Sequence, residues 1–181
     1  MAIVYTIGHS TRGVEELIAL LREAGVDRLI DVRSFPHSKR NPQFNIDTFP
    51  DDLQAAGIAY RHVKALGGRR SRQPGADASP NTACRIEVFK NYADYALTLP
   101  FREALETLIG EADACASAVM CAEAVWWQCH RRIITDYLIA AGIDVRHIMS
   151  AGQISPAELG EDAVIQPGGA VHYPAAQAEL F

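Results

Sequence analysis

The segment IVYTIGHSTRGVEELIALLREAGVDRLIDVR, from Ile3 to Arg33, reads as strand, helix, strand. Ile3 to Ile7 is the short apolar run of a buried strand, and Val14 to Ala24 carries apolar residues at helical spacing until Gly25 stops it. Arg28 to Val32 is a second strand. The alternation then continues. A short helix over Asp47 to Ala56 closes at Gly57, and Ile58 to Val63 forms a third strand. Beyond a polar stretch from Gly67 to Thr82, helical patterns cover Ile86 to Leu97 and Phe101 to Ile109, divided before Pro100. SAVMC (Ser117 to Cys121) is a fourth strand, about Cys129 to Ala141 a helix, and IDVRHI (Ile143 to Ile148) a fifth strand. Strands alternating with helices imply right-handed crossovers and a mainly parallel sheet of about five strands covered on both faces. The expectation is an α/β chain with a three-layer, Rossmann-like or flavodoxin-like fold and an unspecified strand order. Residues 1–150 form one domain in this reading, and 151–181 an extension that packs on it or leaves it.

The length of 181 residues and the 49% hydrophobic content suit one domain with a sizeable core. No apolar run approaches the roughly 20 residues that span a bilayer, and MAIVYTIGHS lacks the basic and long apolar regions of a signal peptide. A cytoplasmic location is expected. In that reducing compartment Cys84, Cys115, Cys121 and Cys129 are thiols, ligands or small buried hydrophobes rather than a disulfide scaffold. The net charge of −5 argues against general coating of nucleic acid. Yet Arg28 to Arg72 holds nine Lys or Arg against four Asp, a local +5 that leaves −10 for the remainder. Such asymmetry points to a localised anion site, or else to a solvated loop surface.

MCAEAVWWQCHRR, Met120 to Arg132, packs two cysteines, a glutamate, a histidine and two arginines into thirteen residues. Open α/β sheets bind ligands beyond the carboxyl ends of their strands. All five expected strands deliver a polar or titratable group there: His9 and Ser10, Asp31 and Arg33, Arg61 and His62, Cys121 and Glu123, and His147. This is the pattern of an active-site crevice.

Gly8-His9-Ser10 lies at a strand-to-helix turn whose backbone N–H groups could hold phosphate or carboxylate, though the full dinucleotide fingerprint is absent. Its alternative is a capping residue beside a hydrogen-bonded His9. Asp31 and Arg33 point to one face of an extended chain, either paired structurally or orienting and holding a ligand. SFPHSKRNPQF, Ser34 to Phe44, combines stiffening prolines with Lys39, Arg40, Asn41 and Gln43 and with Phe35 and Phe44. That make-up suits a phosphate- and base-bearing ligand, or an ordinary loop whose phenylalanines return to the core. Arg69 and Arg70 sit in a flexible, cationic lid candidate.

Cys129 and His130 fall at a helix N-terminus followed by Arg131 and Arg132, an environment that lowers a thiol pKa. The seven residues between Cys121 and Cys129 match neither short zinc spacing nor a thioredoxin-like pair. No cofactor is strongly implied, and zinc would need distant ligands such as His9 or His62. Glu123 is the leading catalytic carboxylate, with Asp31 as its partner, the alternative being a salt bridge to Arg131 or Arg33. Of Trp126 and Trp127, one is expected inside and the other free to stack on a ring.

YTIGHSTR, DVRSFPHSKRNPQF, Gly67-Gly68-Arg69-Arg70, FKNYADY and MCAEAVWWQCHRR together resemble the bacterial and archaeal family catalogued as domain of unknown function 488. The resemblance runs over nearly the whole chain. It implies the fold and the place of the site rather than a reaction.

The C-terminal Gln177-Ala178-Glu179-Leu180-Phe181 resembles the short peptides by which bacterial replication and repair proteins dock on the sliding clamp. Gln177 would enter a polar subsite while Leu180 and Phe181 fill an apolar one, unless the tail folds back on the domain. The leading expectation is an enzyme acting on a nucleotide or nucleic acid, a hydrolase or lyase of the N-glycosidic or phosphoester class. Glu123 and Asp31 would do acid–base or nucleophilic work, assisted by Cys121, Cys129 and His130. Arg33, Asn41 and Arg131 would hold the anion, with His9, Ser10, Lys39, Arg40, His62, Arg69 and Arg70 completing the ligand set. Two alternatives stand beside it. One is a non-enzymatic nucleotide or nucleic-acid reader recruited by its tail, the other a thiol-redox or zinc protein built on Cys121 and Cys129.

Overall fold

A computed structural model describes residues 2–175. Strand β1 (Ile3–Gly8) lies inside a six-stranded sheet, paired in parallel with β4 (Ser117–Cys121) on one side and β5 (Asp144–Ser150) on the other. β4 in turn pairs with β2 (Arg28–Asp31), and β2 with β3 (Ala59–His62), all parallel. The sixth strand, β6 (Gln153–Pro156), runs antiparallel to β5, so the order is β3-β2-β4-β1-β5-β6. The expected α/β fold and its five parallel strands are present. β6 escapes sequence reading because all four of its residues are exposed and only Ile154 is apolar.

Successive strand residues point to opposite faces, and each face acquires its own core. Ile7, Leu29 and Met120 meet α1 (Val14–Glu23) through Leu17, Leu20 and Leu21, and α2 (Phe49–Ala55) through Phe49 and Leu53. Val4, Ile30 and Val119 meet α3 (Glu87–Ala96), α4 (Leu99–Ala114) and α5 (Arg131–Ala140). Helices on both faces explain why the strands read as continuous apolar runs. α4 is longer than its apolar pattern suggests. Pro100 sits in its first turn, where the missing N–H costs nothing, and the helix runs on through Gly110 to bury Ala112. α5 starts two residues later than expected because Cys129 is extended, at φ −140° and ψ 170°.

The chain after β6 packs back on α5. A small hairpin of β7 (Val164–Ile165) and β8 (Val171–His172) leads to buried Tyr173, whose hydroxyl donates to Asp136 Oδ2 at 2.8 Å. Gln177, Leu180 and Phe181 lie outside the described residues. Among the described residues, no helix is long and apolar enough to cross a membrane.

One contact ties the sheet to the loop after β4. His9 and Ser10 donate their backbone N–H groups to the carbonyls of Cys121 and Ala122, both at 3.0 Å. These strand ends approach so closely that a Cβ on Gly8 would stand 1.8 Å from the Glu123 carbonyl oxygen. Gly8→Ala is therefore expected to cost about 1–3 kcal/mol through overpacking, read as a lower denaturant midpoint. An unchanged midpoint would contradict this close approach.

Candidate active site

β4 ends in Cys121, a 3-10 turn at Trp126–Gln128 folds the chain back, and Cys129 arrives beside it immediately before α5. The two sulfurs, eight positions apart in sequence, lie 3.1 Å from one another and are not bonded. Arg131 donates to Cys129 Sγ from its backbone N–H at 3.3 Å and from Nε at 3.2 Å. Its Nη2 donates to the Glu123 carbonyl at 2.6 Å, and the residue is only 2% exposed. A guanidinium this deeply buried needs a counter-charge.

Cys129 supplies it. Burial pushes its thiol up, but the contact with Cys121 and the proximity of His130 and of the Arg131 charge outweigh burial and hold it well below the usual thiol range. Burial and the hydrogen bond to Cys129 push Cys121 well above that range. The two shifts run in opposite directions, which makes Cys129 the more acidic member of the pair.

Glu123 is exposed, and one of its carboxylate oxygens lies with both sulfurs in a group whose members are all within 4.8 Å of one another. These three atoms, rather than His9 or His62, are the ligands a soft cation such as zinc would find. Arg131 weighs against a dication, since it sets a positive charge and two N–H donors on one of the sulfurs. Glu123 forms no salt bridge with Arg131 or Arg33; Arg131 takes its backbone carbonyl instead.

A cavity of about 650 Å³ opens over the sulfurs, walled by Arg33, Phe35, Arg69, Tyr92 and His130 among others. His130 Nε2 donates to the Val32 carbonyl at 2.9 Å, and the ring packs edge-on against Tyr92. Its Nδ1 faces Gly68 so closely that a Cβ there would stand 2.3 Å away. Arg69 lies over the exposed ring of Phe35, with 5.6 Å between guanidinium carbon and ring centroid.

The expected partnership of Asp31 with Glu123 does not form. Asp31 is 0% exposed, and its carboxylate accepts from Arg33 Nε, Arg33 Nη2, the Arg33 backbone N–H and the Tyr60 hydroxyl. Arg33 also donates to the Phe44 carbonyl at 2.7 Å and approaches His9 Nε2 at 3.4 Å. Burial and the Asp31 carboxylate together push the Tyr60 phenol up, so it remains a donor. This buried cluster shapes the cavity wall from behind.

Other expectations shift in the same way. His9 gives Nδ1 to the Ser10 carbonyl, stacks on Phe44 at 4.4 Å between centroids, and has its pKa lowered chiefly by burial. Because the N–H groups of His9 and Ser10 serve the carbonyls of Cys121 and Ala122, this turn is not a free anion nest. His62 donates Nε2 to the Arg33 carbonyl, and Phe44 returns to the core. Arg70 ties its own loop through the Gly67 and Lys64 carbonyls and covers the Tyr95 ring. Lys39, Arg40 and Asn41 belong to a turn organised by Ser38 Oγ, apart from the cavity.

The sequence places His147 at the rim without a role and gives none to Tyr60 or Tyr92. His147 pairs with Thr6 Oγ1 at 2.7 Å, stacks on Trp126 at 4.3 Å, and leaves a buried Nε2 without a hydrogen-bond partner among the described residues. Burial and the charge of Arg131 lower its pKa to about 4, so it is neutral. Its place at a strand end was the available signal. The tyrosines carried none, since an aromatic in a strand or helix pattern reads as core.

The family model Domain of unknown function DUF488 matches residues 13–138. The chain belongs to this family. The DUF488 match holds Asp31, Arg33, both cysteines of the pair, Glu123 and Arg131, whereas Gly8, His9 and His147 fall outside it. No curated protein and no solved structure matches the chain.

Proposed function

We propose that this DUF488 chain is a dithiol enzyme in which Cys129 attacks an electrophilic sulfur of a small molecule and Cys121 resolves the adduct. The support is one juxtaposition: two unbonded sulfurs 3.1 Å apart, one of them held by two N–H donors of a buried arginine. For a substrate disulfide, the Cys129 thiolate forms a bond to one sulfur as the substrate S–S bond breaks and its other half leaves as a thiolate. Cys121 then passes its proton to Glu123 and attacks Cys129 Sγ. The Cys121–Cys129 bond forms, the second half leaves, and Glu123 returns the proton to it. The substrate gains two electrons, the cysteine pair becomes a disulfide, and an external thiol reductant restores it. Closing to a bond of about 2.05 Å needs only about an ångström of movement. Arg131 loses its counter-charge in the oxidised form, which favours re-reduction.

An aromatic disulfide added to the protein tests this. Two thiols should disappear with no probe retained, a mass loss of about 2 Da, and Cys121→Ser should trap one probe fragment on Cys129. A disulfide through Cys84 or Cys115, or stoichiometric zinc in the purified protein, overturns it. Glu123→Gln is expected to slow the resolving step about 100-fold while sparing the first attack. Equal slowing of both steps would remove its role as proton carrier. Hydrolysis or lysis of a nucleotide, the acid–base alternative, would rest on Glu123 alone once Asp31 is paired with Arg33.

A further inference from the structure

Beside the thiol cavity lies a second one of about 770 Å³, and the two share Ile86, Phe89 and Gln128 as a common wall. The outer cavity adds Trp127, Arg85 and Arg132, together with Cys84, Asp162 and Tyr173. Trp127 is 47% exposed, yet its edge-on contact with Trp126, itself stacked on His147, fixes it in place. Ile86 and Val88 are also exposed at this rim. Large apolar side chains held in the open beside a cavity mark a binding surface. The charges are unbalanced as well. Two arginines face one aspartate across this cavity, Arg132 also acting by its charge on buried Asp136 behind it, and neither guanidinium has an ion-pair or hydrogen-bond partner among the described residues. Burial pushes the Cys84 thiol up, which makes it wall rather than a second nucleophile.

We infer that the outer cavity binds the aromatic, anionic portion of the substrate, a ring bearing a carboxylate or phosphate, and so presents the electrophilic end to Cys129. A neutral apolar ligand would bury Arg85 and Arg132 without a partner. A bare hydrophilic anion would leave Trp127, Phe89 and Ile86 uncovered. An aromatic anion satisfies both, with the ring against Trp127 and the negative group toward the arginines. The orientation toward Cys129 rests on the dithiol chemistry proposed above, whereas occupancy of the cavity does not.

Equilibrium binding separates the two. Para-nitrobenzoate and its neutral analogue para-nitrobenzamide are titrated by quenching of tryptophan fluorescence, with no thiol reaction involved. The wild-type chain is expected to bind the benzoate at least about tenfold more tightly than the amide. The double variant Arg85→Ala/Arg132→Ala should lose that preference while still binding the amide, and Trp127→Ala should weaken both. Equal binding of the two probes by wild type, or a preference that survives loss of both arginines, overturns the inference. Because the nitrobenzoate and nitrobenzamide probes carry no electrophilic sulfur, their binding uses neither Cys121 nor Cys129, and failure of the dithiol chemistry would show only in the oxidation experiment.

Discussion

Cys129→Ser should lower the rate of reaction with an aromatic disulfide by at least about 100-fold, while Cys115→Ser stays within about twofold of wild type. The reason is thiolate supply. An ordinary cysteine with a pKa of about 8.5 loses reactivity about tenfold per pH unit on acidification, because only the anion attacks. Cys129, held well below that range, should react at about pH 6 within a few fold of its rate at about pH 8. A rate that follows the ordinary thiol curve would mean that Cys129 is protonated and would end its role as nucleophile.

The same shift predicts how stability varies with pH. Cys129 is lowered on folding, so its contribution is present above the unfolded thiol range and lost as pH falls through the folded value. Cys121 is raised, so its contribution is full below the unfolded range and lost above it. The stability difference between wild type and the Cys121→Ser/Cys129→Ser variant should therefore grow from about pH 5 to about pH 8 and decline at higher pH. Thermal midpoints of the two proteins across that range provide the measurement.

Arg131→Met is expected to destabilise the fold by about 3–5 kcal/mol, the cost of leaving one member of a buried charge pair alone. It also strands the Glu123 carbonyl, which accepts from Nη2 at 2.6 Å. The thiol should respond together with the fold. Without the guanidinium, burial dominates at Cys129, and reaction at about pH 6 should fall by tenfold or more. Arg131→Lys keeps the charge without the planar fork and should fall between. Denaturant unfolding and the pH profile of thiol reaction check the two effects separately. A loss under about 1 kcal/mol would show that no thiolate faces the arginine.

Much of this site was visible as residue types and little of it as partners. Cys121, Glu123, Cys129 and Arg131 stand out because a strand running into a helix has no packing need for them. Their spacing directed attention to Glu123 with Asp31, since seven intervening residues suit no common dithiol or zinc motif. The turn at Trp126–Gln128 removes that objection by reversing the chain and bringing the sulfurs to 3.1 Å. Asp31 and Arg33 were placed correctly on one face. Only β3, by delivering Tyr60 to the same carboxylate, commits the pair to structure.

Local physics sufficed for the alternation of strands and helices. Apolar period and helix-stopping residues act over a few positions, so the parallel α/β class and the polar rim follow from the chain alone. Strand order, the β6 edge and the pairing of Asp31 with Arg33 and Tyr60 depend on groups distant in sequence. So does the burial of Arg131 against Cys129, whose pKa its charge helps to lower. A thiol's charge state reflects the dielectric and the donors around it, and those exist only once strands, helices and loops have packed together.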